Sequence, residues 1–208
     1  MAGTPSSRER LNRLLDLAAQ GSPARATLID ELTDLLLDWP MDYAQAMRAS
    51  FEAMLEKSAC EADAPARARL LARIADRPEL PLALCNAFFL DADIGARGAI
   101  LARNAADCED GDCRPADGRA LVQAARTAMN GGFAKVLASS LALAPDLAAR
   151  IVVDGHALAV AAKGAQLSRA AFSALAVMTG NGAGDLDQFD TIPEAGARKL
   201  LRHWRGLR

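Results

Sequence analysis

The chain has 208 residues with a formal net charge of −2, and 51% of its residues are hydrophobic while only 4% are aromatic. This length suits one large domain or two small ones, and the near-neutral charge argues against a strong electrostatic footprint for nucleic acid. A core built mainly from Ala, Leu, Ile and Val favours helix-on-helix packing over a β-sandwich. No apolar run approaches the roughly 18 residues of a membrane span, and no signal peptide is recognisable, so we expect a cytoplasmic protein without a membrane span.

Capping and breaking residues mark helix boundaries in the first half of the chain. Ser6 and Glu9 have the spacing of a capping box, which predicts the start of a first helix. Ser22 followed by Pro23 predicts the N-cap and first position of a second helix. Periodic apolar residues then predict further helices over residues 42–57, 64–76, 81–90 and 94–101.

The second half begins with an acidic stretch without periodicity. We predict a loop over residues 104–117, after which Asp117 caps a helix that runs to residue 129. Glycine and aspartate predict another loop over residues 179–190, followed by a last helix that opens near Thr191. Between them we expect short helices over residues 133–143, 145–153, 156–163 and 168–178.

An apolar triplet closed by aspartate recurs along the chain. It occurs as residues 35–38, 88–91 and 151–154, at offsets of 53 and 63 residues. Repeated helix-ending units of this kind are typical of stacked helical arrays. The pair Asp154-Gly155 is also a hairpin-turn signal, so a strand at residues 151–153 is the alternative, although the flanking residues do not alternate as a strand would.

Several motifs resemble one family in their order along the chain. They are the two Leu-rich opening helices, Leu-Pro helix starts, and the segments 158–161, 167–172 and 197–205. Together they resemble the bacterial, largely alphaproteobacterial HEAT-like family catalogued as domain of unknown function 2336, over residues 8–206. The resemblance implies an all-α, HEAT-like α-solenoid of about a dozen short helices in stacked helical hairpins. It carries over no catalytic residue, because the family has none assigned.

The expected organisation is one continuous array. Residues 1–104 form N-terminal helical repeats, residues 105–117 an acidic loop, and residues 118–208 C-terminal repeats that end in a capping helix. This arrangement is typical of repeat proteins, whose terminal units must cover apolar surface.

The sequence offers few groups for catalysis. His156 and His203 are the only histidines, and no Gly-x-Ser-x-Gly elbow accompanies them. We expect Asp154 to cap a helix beside a partly exposed His156 rather than to orient a catalytic base. The prediction is therefore a chain without catalytic residues, cofactor or metal.

The cysteines leave one alternative open. Cys85 lies on the apolar face of a predicted helix and is expected in the core. Cys108 and Cys113 flank an acidic loop without zinc-site spacing or EF-hand ligand spacing. Two free thiols are the expectation, and a metal or redox sensor built on these two residues is the alternative.

The last helix is basic and amphipathic. Arg198, Arg202 and Arg205 are candidate partner-binding residues, whereas Leu200 and Trp204 can cover an apolar end of the array. Together with the repeat pattern, this indicates a non-enzymatic scaffold or adaptor that binds another protein. A nucleic-acid-binding protein is the alternative and would need a basic stripe formed by Arg67, Arg69, Arg73 and Arg97.

Two adjacent aromatic residues stand out in a chain with so few. Phe88 and Phe89 lie about 100° apart on a helix, so both can be buried only where helices pack on two sides. We predict that both are buried, Phe88 with Leu84 and Phe89 with Cys85, as expected for a central unit of an array.

Overall fold

The fold is helical throughout the part of the chain that the structure describes. This computed structural model describes residues 7–40, 43–106, 115–127, 132–180 and 184–207. Within these ranges it contains thirteen α-helices, two short 3₁₀ turns (Ser22–Ala24 and Phe89–Asp91) and no β-strand, which confirms the all-α prediction. The helices are α1 Ser7–Gln20, α2 Arg25–Leu37, α3 Gln45–Cys60, α4 Ala64–Ile74, α5 Leu82–Ala87, α6 Ile94–Ala106, α7 Gly118–Thr127, α8 Gly132–Leu141, α9 Pro145–Val153, α10 Gly155–Gly164, α11 Arg169–Met178, α12 Gly184–Thr191 and α13 Glu194–Gly206.

Two compact units divide the chain inside α6, at Met1–Ala96 and Arg97–Arg208. Because α6 continues to Ala106, the prediction that a loop begins at residue 104 is wrong. Asn104 is fully buried in this helix, where its Nδ2 donates to the Ile100 carbonyl at 2.9 Å. That internal hydrogen bond lets a polar residue continue the helix in an apolar setting. Residues 107–114 of the predicted acidic loop lie outside the described ranges.

The first unit is organised around α2. The apolar residues of α2 recur every three to four positions and also occur in adjacent pairs, so they cover more than one side of the helix. Helices α1, α3 and α4 pack against these sides. In α1, Leu14 is buried, whereas Leu15 beside it is 54% exposed. The buried residues of α2 are Leu28, Ile29, Leu32, Thr33, Leu35 and Leu36.

The second unit is organised around α10, whose residues 157–162 are all buried. The small alanine side chains let α9, α11, α12 and α13 pack around it. Two glycines mark the closest approaches: a Cβ on Gly164 would lie 2.5 Å from the Ala197 carbonyl oxygen, and one on Gly196 would lie 2.2 Å from the Leu101 carbonyl oxygen. Helix α13 is thus held against the backbones of both α6 and α10.

The same turn occurs twice in the second unit, 24 residues apart. After α8 and after α10, a non-glycine residue adopts a left-handed conformation, Ala142 with φ 57° and Gln166 with φ 59°. The next residue, Leu143 or Leu167, is buried and donates its amide to the carbonyl five residues earlier at 2.9 Å. This is the hydrogen bond of a Schellman helix end, followed in both cases by an extended residue that starts the next helix.

Helix starts were predicted with mixed success. Asp117 and Asp154 are N-caps as predicted, since each accepts the amide of the residue three positions on, at 3.1 Å and 2.9 Å. The prediction for Ser22 is wrong, because Ser22 lies inside a 3₁₀ turn that follows Gly21. Ser6 of the predicted capping box lies outside the described residues.

The apolar triplets do not share one structure. The first ends α2 and the third ends α9, with an aspartate just beyond each helix. The strand alternative at residues 151–153 is therefore excluded. The second triplet lies at the 3₁₀ turn Phe89–Asp91, so the repeat does not mark the end of an α-helix at every occurrence.

The loop predicted over residues 179–190 is largely wrong, because α12 begins at Gly184. Phe189 is buried on this helix, and its ring stacks on the ring of Phe172 with the two centroids 4.7 Å apart. The Nζ atom of Lys163 lies 4.6 Å from the centroid of the Phe189 ring. Tertiary packing of one aromatic side chain overrides the weak helix propensity of a Gly/Asp-rich segment. The last helix accordingly begins at Glu194 rather than near Thr191.

The two adjacent phenylalanines differ in burial. Phe89 is fully buried, as predicted, but Phe88 is only half-buried, so the prediction for Phe88 is wrong. The helix stops at Ala87, and Phe88 adopts φ −108° and ψ 17° before the 3₁₀ turn begins. The Arg67 guanidinium lies over the Phe88 ring, 5.5 Å from its centroid.

Candidate functional site

The three candidate partner-binding arginines of α13 differ in their surroundings. Arg205 Nε donates to the Leu141 carbonyl at 2.9 Å, which ties α13 to the end of α8. Arg198 is half-buried and its Nε lies 3.8 Å from Glu194 Oε1. Arg202 is exposed. Arg205 therefore has a structural contact with α8 in addition to its candidate role in partner binding.

A polar cluster forms where α9 meets α10. The Arg97 guanidinium donates to both Asp154 oxygens, Nη1 to Oδ1 at 2.9 Å and Nη2 to Oδ2 at 2.7 Å. Asp154 Oδ1 also accepts the Ala157 amide at 2.9 Å. The Arg97 side chain is 9% exposed and that of Asp154 26%, so the pair lies largely out of water. His156 is half-buried beside it.

Burial and charge act in opposite directions on this cluster. Partial burial, the largest influence, opposes ionisation of Asp154. The hydrogen bonds from Arg97 and Ala157 and the nearby positive charge together outweigh it and lower the pKa of the carboxyl. Burial also lowers the pKa of His156, and the Arg97 charge lowers it further against the opposing effect of Asp154. With both carboxylate oxygens engaged, this arrangement suits a structural link between α6 and α10 better than acid–base chemistry.

The four arginines proposed for a basic stripe are mostly paired with carboxylates. Arg67 Nε lies 2.6 Å from Asp91, and Arg73 contacts both Asp30 and Asp34. Arg97 is engaged with Asp154 as described, and Arg69 is exposed. Paired guanidiniums offer less charge to phosphate, so this geometry does not favour the nucleic-acid alternative.

Two of the four cysteines lie in the part of the chain that the structure describes. Cys85 is fully buried, as predicted, with its Sγ 4.0 Å from the Ile74 carbonyl oxygen, whereas Cys60 is exposed. Cys108 and Cys113, on which the metal or redox alternative depends, lie outside the described residues. Across the described ranges, no group of three His, Cys, Asp or Glu side chains could hold a metal ion.

A surface groove in the second unit lies between α7 and α11 and has a volume of about 700 Å³. We call it the α7–α11 groove. At one end the helices nearly touch, since a Cβ on Gly118 would lie 3.2 Å from Ala171 Cβ. The apolar lining of the groove includes Val122 of α7 and Ala170, Ala171 and Ala174 of α11, and the polar residues Gln123, Gln166 and Ser168 also line it.

The apolar surface of the groove continues along α11. Val177 and Met178 follow Ala174 by three and four positions, which places them on the same side of the helix. Val177 is 76% exposed and Met178 39% exposed. The opposite side of α11 carries the buried Phe172, Leu175 and Ala176. Helix α11 thus has one apolar side in the core and a second apolar side facing solvent.

The rim of the groove on α7 is basic. Arg119 and Arg126 line it, and both side chains are exposed. Within the described ranges neither guanidinium forms an ion pair or a hydrogen bond. Asp117 is the acidic residue of the lining, and its Oδ1 accepts the amides of Arg119 and Ala120 at 3.0 and 3.1 Å. One of its two carboxylate oxygens is therefore engaged at the start of α7.

The sequence reasoning missed this groove. The seven-residue spacing of Arg119 and Arg126 was visible, and so was the largely apolar composition of α11. Which apolar side of α11 is left uncovered depends on the positions of α7 and α12, and no local pattern encodes these positions.

Among the described helices, no single one has both the length and the apolar character needed to cross a bilayer, although Gly132–Leu141 and Pro145–Val153, bent by 117°, meet those criteria as a pair.

Comparison with protein-family models, curated proteins and solved structures gives no match to this chain.

Proposed function

We propose that this protein is a non-enzymatic scaffold, built from HEAT-like helical hairpins, that binds another protein. The turn that recurs after α8 and after α10 supports a repeated hairpin unit, because both copies use a left-handed residue, a buried leucine and an extended helix start. The family resemblance of the sequence points in the same direction.

The observation that carries the proposal is the solvent-facing apolar side of α11. An exposed valine and methionine next to a groove of about 700 Å³ form continuous apolar surface bordered by charged residues. Surfaces of this composition mark protein-binding sites, because burying the apolar area against a partner is favourable while the charged rim sets orientation.

Site-specific photocrosslinking tests this function. A photoreactive amino acid at Val177 is irradiated in a lysate of the organism that makes the protein, and adducts are identified by mass spectrometry. A matched control places the same group at Leu15, another exposed large apolar residue, in the first unit. We expect one reproducible protein adduct from Val177 that is missing from Leu15. A folded protein that gives no adduct, or equal adducts at both positions, contradicts the proposed function.

A further inference from the structure

The length of the α7–α11 groove suits the binding of one short helix. The elements that border it have 10 residues each, so the groove is about 15 Å long at 1.5 Å per residue. Helices satisfy their own backbone hydrogen bonds, so the groove walls offer no row of amides and carbonyls with which an extended strand could pair. A segment that enters the groove must satisfy its own backbone, as an α-helix does.

The rim sets the charge of that helix. Arg119 and Arg126 are seven residues apart, which places them about two turns, or roughly 10 Å, apart along one side of α7. Their exposed side chains have no carboxylate partner within the described ranges, in contrast to Arg67, Arg73 and Arg97. A helix with two carboxylates at the same separation would supply charge-assisted hydrogen bonds to both.

The floor sets the residues between the charges. Ala170, Ala171 and Ala174 provide a shallow apolar surface that continues to Val177. Leucine-sized side chains on the partner, spaced three and four residues apart, would fill the space above these alanines. A nucleic acid would satisfy the arginines but would leave the apolar floor against a phosphate backbone.

From these features, and resting on the proposed protein-binding function, we propose that the α7–α11 groove binds an acidic amphipathic helix. The partner segment carries apolar residues on one side and two carboxylates about seven residues apart on the flank that faces α7. Binding should weaken as salt concentration rises, because the two charge pairs are at an exposed rim.

A displayed library of 18-residue helical peptides tests the proposal against the full chain. Apolar positions are fixed at i, i+3, i+4, i+7 and i+11, and the flanking positions vary among Glu, Lys and Gln. We expect selection of glutamate at two flanking positions seven apart. Fluorescence anisotropy of the selected peptide should show at least about tenfold weaker binding to Arg119→Glu and Arg126→Glu, which corresponds to about 1.4 kcal/mol each.

Three controls make the result specific. Arg69→Glu changes the same charge at another exposed arginine and should leave the affinity unchanged. Ala174→Trp fills the groove and should abolish binding without a change of charge. The double variant Arg119→Glu/Arg126→Glu should regain affinity for the selected peptide with lysine in place of its two glutamates. Circular dichroism verifies that each variant is folded.

The outcomes distinguish this inference from the proposed function. Selection without acidic preference, or affinity that does not respond to the two arginines, overturns the acidic-helix assignment. A Val177 photocrosslink would still uphold protein binding in that case. Binding that appears only after neutralisation of the acidic residues 107, 109, 110 and 112 would assign the groove to the chain's own acidic segment and overturn an external partner. Preferential binding of a single-stranded oligonucleotide that Ala174→Trp leaves intact would also overturn it.

Discussion

Replacement of Asp154 by alanine should destabilise the second unit strongly, because one carboxylate has two separate functions. It accepts two hydrogen bonds from the largely buried Arg97 guanidinium, and it caps α10 through the Ala157 amide. Asparagine at the same position keeps an oxygen for the cap but removes the charge. The alanine and asparagine variants therefore separate the two functions.

The size of the effect follows from burial. Removal of one partner from a fully buried ion pair costs about 3–5 kcal/mol. The side chain of Asp154 is 26% exposed, so water can reach the vacated position, and a loss of about 2–3 kcal/mol is expected for the charge. Loss of an N-cap adds about 1 kcal/mol. We expect about 3–4 kcal/mol for Asp154→Ala and about 1 kcal/mol less for Asp154→Asn.

The two tryptophans make a unit-specific assay possible. Trp39 lies in the first unit and the buried Trp204 in the second. In a Trp39→Phe background, urea unfolding followed by tryptophan fluorescence reports on the second unit alone. A double-mutant cycle with Arg97→Leu then gives the coupling free energy between Arg97 and Asp154, which should be about 2 kcal/mol. A coupling below about 0.5 kcal/mol, or equal losses for alanine and asparagine, would refute the reasoning.

The pH dependence provides a second measurement of the same pair. Because the folded protein lowers the pKa of Asp154, the unfolded chain binds a proton more readily there, and the stabilisation is present above the unfolded pKa near 3.8. It is lost as pH falls through the lower folded pKa. In a His156→Gln background, which removes the titration of the neighbouring histidine, the difference in free energy of unfolding between Asp154 and Asp154→Asn should therefore be constant from pH 7 to about pH 5 and decrease below about pH 4.

Three further predictions concern packing and titration. Gly196→Ala places a methyl group 2.2 Å from a backbone carbonyl oxygen and should destabilise the protein by about 2 kcal/mol, even after a helix-propensity gain of about 1 kcal/mol. In the control Gly98→Ala the methyl group meets nothing within 4 Å, so this variant should be neutral or stabilising. Equal effects of the two substitutions in urea unfolding would contradict the close approach at Gly196. Phe89→Ala should cost about 3–5 kcal/mol and the half-buried Phe88→Ala clearly less, so similar losses in thermal melts would refute the difference in burial. Burial lowers the pKa of both histidines, so as the pH falls the unfolded chain is protonated at these residues before the folded protein is, and the free energy of unfolding should decrease below about pH 6.5. Replacement of both histidines by glutamine should flatten this part of the curve of unfolding free energy against pH. An unchanged slope would contradict the prediction.

Much of the helical structure was readable from the sequence because its determinants are local. Asp117 and Asp154 cap helices through amides only three residues away, so residue type and position suffice to predict them. The core position of Cys85 followed from its place on an apolar helix face. The all-α class followed from alanine and leucine content together with helical periodicity.

Errors arose wherever a distant residue changes the local outcome. Phe189 makes a helix of a Gly/Asp-rich segment by stacking on a ring 17 positions earlier in the chain. Asn104 stays helical because its amide bonds within the helix while the surrounding core excludes water. Phe88 leaves the core because the helix breaks there and Arg67 covers its ring.

The candidate site also depends on residues that are distant from one another in the sequence. Residue order alone determined that Asp154 would be a cap, but its ion-pair partner lies 57 positions away, and only packing of α6 against the start of α10 brings the two together. Likewise, the sequence contains the spacing of Arg119 and Arg126 and the apolar character of α11. The exposure of both beside one groove is a tertiary property, because the apolar side of a helix that remains in solvent is decided by which neighbours cover the other side.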